Sequence, residues 1–217
     1  MKHTLVVGAA PLPEHDGFYR DLLASSAHVV AADAAGEWCV GLGRVPDAVV
    51  GDFDGSLLGA PQRLEALGAI VEIHPAQKDA TDLEVAIACA MAMWDAPIVL
   101  TAAFTSRIDH TLAAVGALTR AGAGASVREP GWSGFVCSAS ETVRLELRAA
   151  EVVSVIALTV GTRVTIDGAV WPLDDVALPV LSGHGVSNRA EGGPFTVTAT
   201  NGIVAITVQD GESAGLY

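Results

Sequence analysis

The sequence predicts an α/β N-terminal domain with a mostly parallel sheet, followed by an all-β C-terminal domain. Two observations carry this. Up to about Pro130, short aliphatic and β-branched runs alternate with longer helical patterns, the rhythm of βαβ units. After Gly131 the helical signals stop and apolar residues alternate with polar ones at period two. The change falls in the Gly-rich stretch between Gly122 and Gly134, so residues 1–130 and 131–217 are expected to form separate domains.

In chain order, the strand candidates of the first domain are Thr4–Gly8, His28–Ala32, Ala48–Gly51, Ile70–His74, Pro97–Thr101 and Ser126–Arg128. The clearest helix lies between the fourth and fifth. Thr81 followed three residues on by Glu84 reads as a capping box, and Leu83, Ile87, Ala90, Met91 and Trp94 recur at helical spacing. A second helix is expected from about Ile108, with Leu112, Val115 and Leu118 on its core face. In the second domain, Val152–Leu158, Arg163–Val170 and Phe195–Val197 alternate as strands. There Asn201-Gly202 reads as a type I′ hairpin turn before Val204, Ile206 and Val208.

Composition narrows the function classes. The chain has 217 residues, 51% of them apolar and 17% charged, which is the balance of a folded protein rather than a disordered one. A formal charge of −13 argues against nucleic-acid binding, which relies on Lys and Arg displacing counterions from phosphates. No stretch has the length and apolarity of a membrane span, and the apolar run Leu5 to Ala10 is too short for a secretory signal, so a cytoplasmic location is expected. Three cysteines, Cys39, Cys89 and Cys137, lack metal-type spacing and read as reduced, inert thiols.

Ligands of open α/β sheets sit beyond the carboxyl ends of the strands, and acids follow four successive strand ends here. They are Asp33 after the second, Asp52 and Asp54 after the third, Asp79 and Asp82 with Lys78 after the fourth, and Asp109 with Arg107 after the fifth. Each alone has an ordinary explanation as a turn or helix-start residue. Together they would repel one another without a compensating cation. Oxygen donors with no His or Cys among them suit Mg²⁺, and the D-x-D spacing of Asp52 and Asp54 lets both address one ion. Lys78 and Arg107 supply positive charge suited to a polyphosphate. His110 adjoins the cluster as a possible general base. The phosphate-binding G-x-x-x-x-G-K-[ST] and G-x-G-x-x-G loops are absent. From residues alone, the reading is a Mg²⁺-dependent enzyme acting on a nucleotide or other polyphosphate.

The string of motifs resembles the thiamine pyrophosphokinase family. It comprises Ala32-Asp33, Gly51-Asp52-Phe53-Asp54, Lys78-Asp79-Ala80-Thr81-Asp82, Arg107-Ile108-Asp109-His110, Val170-Trp171-Pro172-Leu173 and Gly185-Val186-Ser187-Asn188, in family order over nearly the whole chain. The resemblance implies a C-terminal β-sandwich, ATP and Mg²⁺ at the acidic edge, and a homodimer with thiamine bound at the subunit interface. It implies pyrophosphoryl transfer from ATP to the thiamine hydroxyl, with AMP leaving. By position, Asp52, Asp54 and Asp82 become the metal acids, joined in catalysis by Arg107 and Asp109. Asp33, Lys78, Asp79, Thr81, Arg107 and His110 become the ATP-binding set, and Trp171, Ser187 and Asn188 the thiamine end. Departures stand at Ala34, Ala35 and Ser106, where the family has glycine; they leave the nucleotide and acceptor range open. Rival readings are a Mg²⁺-dependent phosphohydrolase, with water as acceptor, and a non-catalytic nucleotide or thiamine sensor.

Overall fold

The computed structural model describes residues 2–105, 107–122 and 124–209. Its chain divides into two compact units, Met1–Ala125 and Ser126–Tyr217. The elements of the first are β1 (Thr4–Val7), α1 (Asp16–Ser25), β2 (His28–Ala32), α2 (Ala35–Gly41), β3 (Ala48–Gly51), α3 (Ala60–Ala66), β4 (Ile70–Ile73), α4 (Asp82–Met93), β5 (Ile98–Thr101) and α5 (Ile108–Arg120). Those of the second are β6 (Ser126–Glu129), β7 (Trp132–Ser138), β8 (Glu141–Leu147), β9 (Val152–Ala157), β10 (Arg163–Asp167), β11 (Leu173–Ala177), β12 (Asn188–Arg189), β13 (Gly193–Asn201) and β14 (Ile203–Gln209).

In the first unit the strand order β5-β1-β2-β3-β4 is parallel throughout. Apart from His28 at the start of β2, strands β1 to β3 are buried along their length, which is why they read as apolar runs instead of alternating ones. Leu5, Val7, Val29, Ala31 and Val49 form one core with Tyr19 and Leu23 of α1, Cys39 of α2 and Leu64 of α3. Helix α4 packs across β1, β2 and β3. The chain steps outward from β1 to β4 and then returns to place β5 on the other side of β1. The gap beyond the carboxyl ends of β1 and β5 is therefore a topological switch point, where α/β sheets hold ligands.

The predicted capping box is present: Thr81 Oγ1 accepts from Glu84 N at 3.2 Å and Glu84 Oε2 accepts from Thr81 N at 2.9 Å. Two helix expectations need correction. Trp94 stands just past α4 in extended backbone, its ring stacked on His28 at 4.5 Å. In α5 the buried face is Ala114, Ala117 and Leu118, whereas Leu112 is 57% exposed. Small side chains let the helix approach its neighbours closely, so the alanine face went inward and the larger residue outward.

The second unit is a β-sandwich. One sheet runs β12-β9-β14-β7-β6 and the other β11-β10-β13-β8, with antiparallel pairing. Val153, Val155, Val204 and Ile206 from the first meet Val164, Ile166, Phe195 and Val197 from the second in one core. Fully burying each such side chain is worth roughly 1.5–3 kcal/mol. Asn201-Gly202 is not a hairpin turn. β13 pairs with β8 and β10, while β14 pairs with β7 and β9, so the dipeptide carries the chain from one sheet to the other. Gly202 is required for proximity, since a Cβ there would lie 2.2 Å from Thr162 Oγ1. Asn201 Nδ2 donates to Gly161 O at 2.8 Å and tethers the corner.

Candidate active site

Three strand ends of the first unit carry residues in left-handed backbone without being glycine: Asp33 (φ 50°) after β2, Phe53 (φ 59°) after β3 and Ala102 (φ 52°) after β5. Each such conformation costs on the order of 1–3 kcal/mol and persists where surrounding structure enforces it. The fourth end, after β1, is drawn tightly onto β5. Gly8 N donates to Thr101 O at 2.9 Å and Ala10 N to Ala102 O at 2.8 Å. A Cβ on Gly8 would sit 2.5 Å from Ala102 O. These turns surround a cavity of about 650 Å³, with Gly8, Ala9, Ala10, Ala102 and Ala103 as its small-residue wall and Asp33, Asp52, Asp54, Lys78, Asp82 and Arg107 as its charged one.

Asp33, Asp52 and Asp54 each bring a carboxylate oxygen within 4.8 Å of the others. The parallel register makes this possible, because Ala32 of β2 lies beside Val50 of β3 and both chains turn out of the sheet one or two residues later. Asp33 Oδ1 accepts from Ser56 Oγ at 3.0 Å, and Asp52 Oδ1 accepts from Asp54 N at 3.1 Å, a turn that points the two D-x-D carboxylates to one side. Their acidities diverge. Burial pushes the Asp33 carboxyl above its ordinary range, and the Asp54 N–H, helped by the charge of Lys78, holds Asp52 below its own. The Lys78 ammonium sits 2.9 Å from Asp82 Oδ1 and 3.7 Å from Asp52 Oδ2, and its contact with Asp82 raises its pKa.

Of the other residues expected here, Thr81 and His110 line the cavity, the Thr81 hydroxyl being engaged by Glu84. Arg107 stands at the rim, 65% exposed, with Nη2 2.6 Å from Asp109 Oδ2. Asp109 and Asp79 are exposed and do not line the cavity. Ser106 lies outside the described residues. Ala34 is half-buried and Ala35 buried at the start of α2, and Ala35 belongs to the core beneath the sheet. The contribution of Ser56 and of the Gly8 to Ala10 wall was not legible in the sequence. A serine two residues past D-x-D and a run of small residues are common signals without structural context.

In the second unit, Trp171, Ser187 and Asn188 do converge. With Leu173, His184, Gly185 and Val186 they line a cavity of about 320 Å³. Trp171 is 57% exposed, so it is not a core tryptophan. The loop opposite it is fixed from several directions. A Cβ on Gly185 would lie 2.2 Å from Val155 O, Ser187 takes left-handed backbone (φ 59°), and Ser187 N donates to Ser154 Oγ at 3.1 Å.

An acidic cavity at the switch point of a parallel sheet, with an ammonium among its carboxylates and a guanidinium on its rim, has the charge and donors of an α/β enzyme site suited to a polyphosphate-bearing substrate. The family model for the thiamin pyrophosphokinase catalytic domain matches residues 19–127, and that for the thiamin pyrophosphokinase vitamin B1 binding domain matches residues 140–204. The chain belongs to the thiamin pyrophosphokinase family, and is an enzyme of that activity, a thiamine diphosphokinase. Solved structures share the fold. Thiamine pyrophosphokinase from Bacillus subtilis superposes with a TM-score of 0.78 at 19% identity, over 96% of this chain and 99% of that one. The Geobacillus thermodenitrificans protein gives 0.75 at 22%, over 97% and 98%. That from Candida albicans gives 0.79 at 13%, over 96% and 89%. A search of curated protein sequences finds no match.

Proposed function

We propose that ATP places its phosphates in the acidic cavity of the first unit and that thiamine stacks on Trp171 in the cavity of the second. The observation that carries this is the convergence of Asp33, Asp52 and Asp54 beside the Lys78–Asp82 pair. Oxygen donors alone within 4.8 Å of one another fit Mg²⁺. Asp52 and Asp54 would hold the ion; Asp33 would complete the oxygen set in place of the expected Asp82, whose carboxylate is paired with Lys78 and would keep that ammonium beside the ion. The bound ion would neutralise phosphate charge. Lys78 stabilises charge arriving on the phosphates from inside the cavity, and Arg107, exposed on the rim, closes on them from outside. The thiamine hydroxyl is oriented toward the β-phosphorus and AMP is the leaving group. In the second unit the exposed indole of Trp171 offers a π face to a thiazolium cation. The working form is read as a cytoplasmic homodimer whose thiamine site lies at the subunit interface. Among the described residues no helix is long and apolar enough to cross a membrane.

Incubation with ATP, Mg²⁺ and thiamine, followed by quantification of thiamine diphosphate and AMP, tests the reading. Asp54→Asn should cut turnover at least ~100-fold and weaken Mn²⁺ binding measured directly by calorimetry. Unchanged metal affinity and rate remove Asp54 from the site. AMP formed equally well without thiamine points to a phosphohydrolase, and binding of both substrates without turnover points to a sensor. Mixing Asp54→Asn with Trp171→Ala should restore activity if two subunits share each site. A fully active monomer defeats that arrangement.

A further inference from the structure

Asn188 is 6% exposed although Ser187 and Arg189 on either side of it are exposed. Its amide is occupied by the main chain. Nδ2 donates to Trp171 O at 2.7 Å, and Oδ1 accepts from Trp171 N at 3.2 Å and from Arg189 N at 2.8 Å. Trp171 lies between β10 and β11, beyond the ladder, and Pro172 after it has no N–H to donate. One side chain thus satisfies both polar groups of the Trp171 main chain, as a neighbouring strand would. The bridge Ala169↔Ala190 and the bond from Val170 N to Arg189 O, 2.9 Å, bring the two segments to that point. The indole itself remains outside, half-exposed over the cavity.

We infer that Asn188 is a positioning residue that acts through Trp171, and is not a direct thiamine ligand. The inference rests on the reading of Trp171 as the wall against which the cationic ring stacks. A stacking face works only if its plane is held, because freezing a mobile indole on binding would consume part of the affinity. A buried amide with donor and acceptor both bonded to backbone meets that need. Its replacement leaves the Trp171 carbonyl and N–H without those partners.

The experiment uses the full chain labelled with 5-fluorotryptophan, the Trp171 fluorine resonance being assigned by its loss in Trp171→Phe. Asn188→Asp keeps the accepting Oδ1 and turns a second oxygen toward the Trp171 carbonyl, while Asn188→Ala removes both bonds. In each variant the Trp171 resonance should shift and broaden. Thiamine KM should rise on the order of tenfold, with ATP KM unchanged. Adding Asn188→Ala to Trp171→Ala should cost nothing more. Additive losses mark an independent contact with thiamine and overturn the inference, as does an unmoved resonance. Amide exchange on the unmodified chain supplies a readout free of any variant's folding: the Trp171 N–H should be protected, and exchange at the unfolded rate overturns the clamp. If Trp171→Ala leaves thiamine KM unchanged, the thiamine reading of the cavity fails, while the resonance and exchange data still decide whether Asn188 holds Trp171.

Discussion

Lys78 Nζ, in the loop before α4, lies 2.9 Å from Asp82 Oδ1, four residues further along at the start of the helix, with side chains only 15% and 29% exposed. The same ammonium reaches Asp52 at 3.7 Å, so one cation spans the ends of two strands. Lys78→Met removes one of the groups that depress Asp52, but leaves the larger one, the Asp54 N–H. The Asp52 carboxyl should therefore move up in the variant and still titrate below its ordinary value of 3.8. A group depressed on folding contributes stability above its unfolded pKa and loses it as pH falls through the folded one. The acid-side loss should accordingly be smaller in Lys78→Met and be complete at a higher pH, its onset staying at the unfolded-state value. Carboxyl NMR titration and acid unfolding read the two halves; an Asp52 titration unchanged by the variant rejects the coupling.

Arg107 and Asp109 form an ion pair on an open surface, where such pairs contribute little to stability. Arg107→Lys should leave the melting temperature where it is. If the guanidinium clamps phosphate, turnover should nevertheless fall at least ~10-fold, because an ammonium cannot form the two-pronged contact. A lower melting temperature with a normal rate in the folded fraction would assign Arg107 a structural role.

Thr81→Ala opens the capping box of α4 and should cost about 1 kcal/mol in urea unfolding. Thr81→Ser, which keeps the hydroxyl, should recover most of it. Glu84 holds the other half of the box and also pairs with Arg120 of α5, and the Thr81 N–H is the chief group keeping its carboxyl below the ordinary range. Equal stability of the Ala and Ser variants would show that the box is redundant.

Cys39 is fully buried, and desolvation pushes its thiol up to about 12 from 9.0. Between those values the folded state holds a proton that the unfolded chain releases, so stability falls as pH rises through that window. Cys39→Ala should flatten this alkaline slope relative to wild type. Native Cys39 should also resist iodoacetamide at pH 8 and react on unfolding. Rapid native labelling at Cys39, located by peptide mass, contradicts its burial.

What the sequence determined by itself were features set by near neighbours. The run Ala48-Val49-Val50 is a strand because its residues are buried on both faces, and Thr81 with Glu84 starts a helix because the two bonds close within one turn. The placement of acids after strands was legible too, since chain direction in a parallel sheet sends every strand's carboxyl end to one edge. Contact between distant segments needed the tertiary structure. Register across β2 and β3 added Asp33 to Asp52 and Asp54, and the choice of sheet partners made Asn201-Gly202 a corner instead of a hairpin. Packing against its neighbours selected the alanine face of α5 over Leu112. Seventeen positions separate Trp171 from Asn188, and only the pairing of their flanking segments spends that amide on the tryptophan backbone. Such choices depend on which remote surfaces exclude water together, a condition that no local pattern encodes.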